Sequence, residues 1–153
     1  MFKNISLIEI YEPHMIHATK THLDKNISNS EIIDPNHYDI FRKDRVFEEG
    51  HEGGGVLNIV RKDLYAQAVT MSDADCEIVW NKIEQKGKKP LFTGVFYRPP
   101  NNDCYPLENL KISLQNMIKS NNLPNIVLTG DFNMPDIVWE NESNESIEIK
   151  KFK

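Results

Sequence analysis

Apolar residues recur along this chain at two spacings, roughly every third or fourth position and every second position, and the switches between them mark its elements. Phe2, Ile5, Leu7 and Ile8 return at helical intervals and stop before Pro13, which predicts a short first helix. "HMIHA" at 14–18 then reads as a brief buried strand, and residues 24–36 as polar and turn-rich. "YDIFRK" at 38–43 and "GGGVLNIVR" at 53–61 predict two more strands, the second with a flexible start at its three glycines. "CEIVWNKIE" at 76–84 and "KPLFTGVFYR" at 89–98 join across Lys86 and Gly87, the pattern of an antiparallel hairpin. Residues 91–97 are apolar on both faces, so that strand belongs in the middle of a covered sheet. Pro106 opens a helix with Leu107, Leu110, Leu114, Met117 and Ile118 on one face, and Asn121, Asn122 and Pro124 close it. "NIVLT" at 125–129 is read as a short buried strand, and the polar stretch "ENESNESIEIKKFK" as a mobile tail. Strands alternating with helices argue for a layered α/β fold with helices packed on mixed sheets.

Composition changes this picture little. A chain of 153 residues with 39% hydrophobic and 27% charged content suits one globular domain. Its net charge of −5 gives no general attraction to polyanions, so a nucleic-acid partner would need a local basic patch or a metal ion. Two patches qualify by sequence: Arg42, Lys43 and Arg45, and the hairpin lysines Lys82, Lys86, Lys88 and Lys89, the second of which reads better as a solubilising tip. Cys76 and Cys104 form no metal-binding spacing and are expected to be free thiols. No run approaches the roughly 18 apolar residues of a membrane span, and no leader is evident. The expectation is a monomeric intracellular protein, nuclear if it acts on DNA. His14, His17, His22, His37 and His51 are expected to be ordinary turn or surface histidines.

Chemistry concentrates at two strand ends. In "NIVLTGDFN", Asp131 and Asn133 lie two residues apart, so on a strand they project together. A carboxylate beside an amide can hold a hard cation, accept a proton from water or bond a phosphate; it can equally form an Asx turn before Pro135. "VFYRPPNN" ends the covered strand with Tyr97, a phenol donor, and Arg98, a rigid fork for phosphate, or else a core cap and a surface ion pair.

"TGDFNMPDIVW", "GVFYRPPNN", "EGGGVLNIVRKDL", "FRKDR" and "EPHMIHATKTHLD" together resemble the endonuclease domain of LINE-type, non-long-terminal-repeat retrotransposons, part of the endonuclease/exonuclease/phosphatase superfamily. The resemblance covers residues 1–140, leaving 141–153 as the tail. It implies a deoxyribonuclease-like sandwich of two β-sheets flanked by helices, with a phosphodiesterase site assisted by Mg²⁺ or Mn²⁺ at one edge. Carried over, Asp131 is the aspartate that orients or deprotonates the attacking water, Asn133 its phosphate-contacting partner and Tyr97 the tyrosine against the scissile phosphate. Arg98 and Asn101 are expected to contact phosphate or nucleic acid. The partners implied are DNA and, in the parent element, a reverse transcriptase domain.

Three departures accompany these matches. Lys20 stands where the family carries the glutamate that is its main metal ligand, and an ammonium has no lone pair to offer, so metal binding is in doubt. The family's first strand and its closing aspartate-histidine pair have no counterpart, so the domain is expected to be incomplete at both ends. The function expected is a retrotransposon-derived, metal-dependent DNA endonuclease that is catalytically impaired; the alternatives are a non-catalytic nucleic-acid-binding remnant or a phosphatase of the same superfamily.

Overall fold

The computed structural model describes residue 8 and residues 10–45, 53–70, 76–100, 104–121 and 123–135. Its strands are β1 (Met15–Thr19), β2 (Tyr38–Lys43), β3 (Val56–Arg61), β4 (Ala66–Val69), β5 (Glu77–Ile83), β6 (Leu91–Tyr97) and β7 (Asn125–Asp131); its helices are α1 (Asn29–Ile32) and α2 (Tyr105–Asn121), with a 3₁₀ turn at Lys62–Leu64. They form the expected two-sheet α/β sandwich. One sheet runs β1-β3-β2 and is antiparallel, the other runs β4-β5-β6-β7 and is antiparallel except where β7 joins β6 in parallel. A parallel partner requires a crossover, and α2 supplies it.

Period-two alternation decides what each strand gives to each layer. On β6, Phe92 and Phe96 face outward into a cluster with Ile78, Trp80, Leu107, Leu110 and Met117, so α2 covers that face. Trp80 fits there because its cross-strand partner is Gly94, where a Cβ would lie 2.4 Å from the indole ring. The alternate residues Val95 and Tyr97 face inward and pack with Val56 of β3 in the other sheet and with Val79 of the neighbouring β5. On the other sheet Leu57 and Ile59 face outward to Leu23, Ile32, Ile33 and Tyr38 around α1. Ser28 starts α1, its N–H donating to Glu31 Oε1 at 2.8 Å.

The inner layer is unexpectedly polar. Asn58 Nδ2 on β3 donates to Asn81 Oδ1 on β5 at 2.7 Å and to Thr93 Oγ1 on β6 at 3.1 Å, and all three residues are fully buried. Beside them His17 Nδ1 on β1 lies 2.6 Å from Thr129 Oγ1 on β7, whose hydroxyl also reaches the Gly94 carbonyl at 3.3 Å. These bonds tie one sheet to the other at fixed positions, where apolar contact alone would let them slide.

Several expectations need correction. His17 is not a surface histidine: it alternates inward from β1 and bridges the sheets. β1 starts at Met15 and is half-buried throughout, having β3 as its sole partner strand among the described residues. β7 extends to Asp131 and alternates in exposure, as an edge strand does. Ile118 is exposed, and the place inferred for it on the buried face of α2 goes to Ser113, which accepts the Trp80 indole N–H at 2.9 Å. β4, with only Ala, Gln and Val, carries too little pattern to be read. Asn101, His51, most of the first predicted helix and the tail lie outside the described residues.

Burial lowers the His17 pKa below the ordinary imidazole value, so the fold holds the ring neutral. The unfolded chain therefore takes up the proton first as pH falls, and stability present above about pH 6.5 declines below it. Urea midpoints measured from neutral pH to about pH 5 should fall more steeply for the native chain than for His17→Gln, which keeps a hydrogen-bonding side chain without titrating; parallel profiles would remove His17 as the cause.

Candidate functional site

At one end of the sandwich the strand termini converge. The in-register parallel pairing of β6 and β7 sets Tyr97 opposite Asp131, and alternation turns both inward. β1 finishes at Thr19, and Lys20, with φ at +54°, breaks the strand so that its Nζ meets Asp131 Oδ2 at 2.8 Å and lies 5.4 Å from the centre of the Tyr97 ring. From just past β2, Arg45 brings its guanidinium to 5.6 Å from the same ring centre. Glu77, the first residue of β5, accepts from Arg45 Nε at 2.5 Å and from the Gly55 N–H at 2.6 Å.

The glycine run is the bed of this cluster and not a loose strand start. Gly53, Gly54 and Gly55 are all buried and all hold positive φ, at 101°, 101° and 84°. A Cβ on Gly54 would fall 2.4 Å from Arg45 Nε, and one on Gly55 2.6 Å from Thr21 Oγ1. Thr21 and His22 N–H groups donate to the Gly55 and Gly54 carbonyls at 3.3 and 3.1 Å, fastening the segment after Lys20 to the run. "GGG" thus serves close packing of two loops, one bearing Lys20 and one bearing Arg45.

Beyond β7 the chain turns at once. The Asn133 N–H donates to Asp131 Oδ1 at 3.1 Å, an Asx turn, while the other carboxylate oxygen of Asp131 meets Lys20. The Asx-turn reading of Asp131 is realised, and its other oxygen is taken up by Lys20. Asn133 does not project beside Asp131 as strand geometry implied: its φ is +45°, and its Nδ2 donates to the Arg98 carbonyl at 2.5 Å. Arg98 is 3% exposed; its N–H donates to the Asp131 carbonyl at 2.9 Å and its Nη1 to the Asn133 carbonyl at 3.3 Å. In this arrangement Arg98 and Asn133 lock the two strand exits to each other and neither presents a free fork or amide to a ligand. Phe132 packs on Phe96, with ring centres 5.4 Å apart, and anchors the turn to the core.

Charge at the site is set by the ion pair. The hydrogen bond from Lys20 holds the Asp131 carboxyl below its usual range, with the Asn133 N–H adding to it against partial burial, and the same bond raises Lys20. A carboxylate so stabilised is a weak proton acceptor. A hard divalent cation needs about six oxygen ligands. Asp131 is paired with Lys20, Glu77 is paired with Arg45 and an N–H, and among the described residues no three His, Cys, Asp or Glu side chains gather. The described residues do not fit the ion that the resemblance implies.

Tyr97, Asp131 and Lys20 were legible from motif positions. Arg45 was visible only as part of a basic cluster, the glycines only as a flexible strand start, and Glu77 was not read at all, because their meeting depends on how β3 and β5 face each other. The hairpin lysines lie at the opposite end, where Lys82 pairs with Glu84 and Lys89 Nζ donates to the Leu123 carbonyl at 3.1 Å.

A family model described as endonuclease-reverse transcriptase matches residues 91–152, from β6 through the Asp131 turn. No curated protein matches the chain. Among solved structures a humanized D. rerio TDP2 carrying 14 mutations is similar, at 16% identity with a TM-score of 0.55, over 86% of this chain and 53% of that one. The chain thus spans about half the length of that structure, and likeness at this identity concerns the fold. Both findings agree with the resemblance read from the sequence: the fold is shared with that structure, and residues 91–152 are similar to an endonuclease-reverse transcriptase family.

Gly54→Ala tests the bed. Displacing Arg45 and forcing a side chain to positive φ should cost about 1–3 kcal/mol, read as a lower urea midpoint at unchanged slope. A midpoint equal to that of the native chain would contradict the packing described.

Proposed function

We propose that this chain is a retrotransposon-derived DNA endonuclease domain of the LINE type in which binding of the phosphodiester backbone outlasts its hydrolysis. The observation that carries the reading is the 2.8 Å contact between Lys20 Nζ and Asp131 Oδ2 beside Tyr97. In an active member, by this account, residue 20 would be a glutamate holding Mg²⁺ or Mn²⁺, which neutralises the phosphate, while Asp131 takes a proton from the attacking water. Lys20 removes the oxygen ligand and engages the base. Without an electrophile for the phosphoryl oxygens and with Asp131 already stabilised, in-line attack by water has neither charge compensation nor a ready proton acceptor.

The match of residues 91–152 to an endonuclease-reverse transcriptase family supports a retroelement origin over a phosphatase acting on small phosphates. It also supports a reverse transcriptase domain in the parent element, for which a nick would supply the 3′ end.

Nicking of supercoiled plasmid in Mg²⁺ or Mn²⁺ tests the reading. The native chain should nick no faster than Asp131→Ala, and Lys20→Glu should gain metal-dependent nicking that is lost again in Lys20→Glu with Asp131→Ala. Efficient metal-dependent nicking by the native chain, abolished by Asp131→Ala, would show that hydrolysis survives and sink the proposal.

A further inference from the structure

The disagreement between this donor set and a metal ion points to a substitute. We infer that Lys20 and Arg45, brought to one tyrosine ring, form a metal-independent clamp for a backbone phosphate of nucleic acid; the inference rests on the nucleic-acid reading above. The two cations reach the Tyr97 ring from different loops, Lys20 at 5.4 Å and Arg45 at 5.6 Å from its centre. Each is attracted by the ring, and an anion accepting from both would gain a charge-assisted hydrogen bond from each.

Each also keeps donors to spare. An ammonium has three N–H groups, and the Lys20 side chain, 48% exposed, gives one to Asp131. Glu77 takes Nε and Nη2 of Arg45, leaving the Nη1 donors with no hydrogen bond among the described residues. Lys43 and Arg98 add positive charge nearby, Lys43 with its Nζ donating to the Cys76 carbonyl at 2.9 Å. The glycine bed holds Arg45 in place before any ligand arrives, which reduces the ordering cost of binding. A phosphate accepting from Lys20 and Arg45 against Tyr97 would thus be held by fixed charges where an active nuclease would use an ion.

The test is fluorescence anisotropy of a short labelled DNA duplex with the full chain, in EDTA and in Mg²⁺, across a salt series, each variant first shown to keep the native circular dichroism. Expected is equal affinity in both buffers. Lys20→Gln and Arg45→Gln should each weaken binding about tenfold and flatten the log affinity against log salt slope by about one. Arg45→Lys, which keeps the charge, should recover most of it, and Lys86→Gln, at the far hairpin, should bind like the native chain. Binding that requires Mg²⁺, or a native salt slope in Lys20→Gln, would overturn the clamp while leaving the nuclease reading intact. Absence of DNA binding in either buffer would overturn both.

Discussion

The parallel, in-register pairing of β6 with β7 is the constraint on which the site depends. β6 is buried on both faces, by α2 outside and by the facing sheet inside, so its register cannot slip without turning Phe96 inward and Tyr97 outward. Once β6 is fixed, β7 is fixed, and Asp131 must stand opposite Tyr97. Gly130 makes the approach possible: a Cβ there would lie 1.8 Å from the Phe96 carbonyl oxygen. The chemistry of this end is thus a consequence of core packing several residues away.

The polar inner layer extends that constraint across the sandwich. Asn58, Asn81 and Thr93 bond only if β3 faces β5 and β6 at one offset, and the His17 to Thr129 contact fixes β1 against β7. Lys20 follows His17 by three residues, and Asp131 follows Thr129 by two. A bond in the interior therefore predetermines an ion pair at the rim. Directional bonds supply the selectivity here, because buried polar groups lose far more than apolar ones when misplaced.

Much of this was legible in sequence, and what was not has a common cause. Strand alternation gave the hairpin and the covered strand, and Pro106 with the leucine spacing gave α2, because those signals are local. Tyr97, Asp131 and Lys20 were found by motif, since strand ends carry recognisable residues. Arg45, Glu77 and His17 were missed in their roles because each acts on a residue more than thirty positions away in the other sheet, and no spacing along the chain encodes which inward faces meet. Asn133 misled for the opposite reason: its turn is local, and a single left-handed residue redirected its amide from the strand face to the Arg98 carbonyl.

The contrast between Gly130 and Lys20 separates two kinds of information in one gene. At Gly130 no side chain fits, so a change of residue there would be registered immediately as loss of folded protein. At residue 20 the side chain is half in solvent and its partner lies at the rim, so a change of residue there leaves the backbone plan undisturbed. Selection for a protein that folds will therefore preserve the first position and remain blind to the second. Chemistry at such a rim can therefore change while the architecture beneath it is transmitted whole.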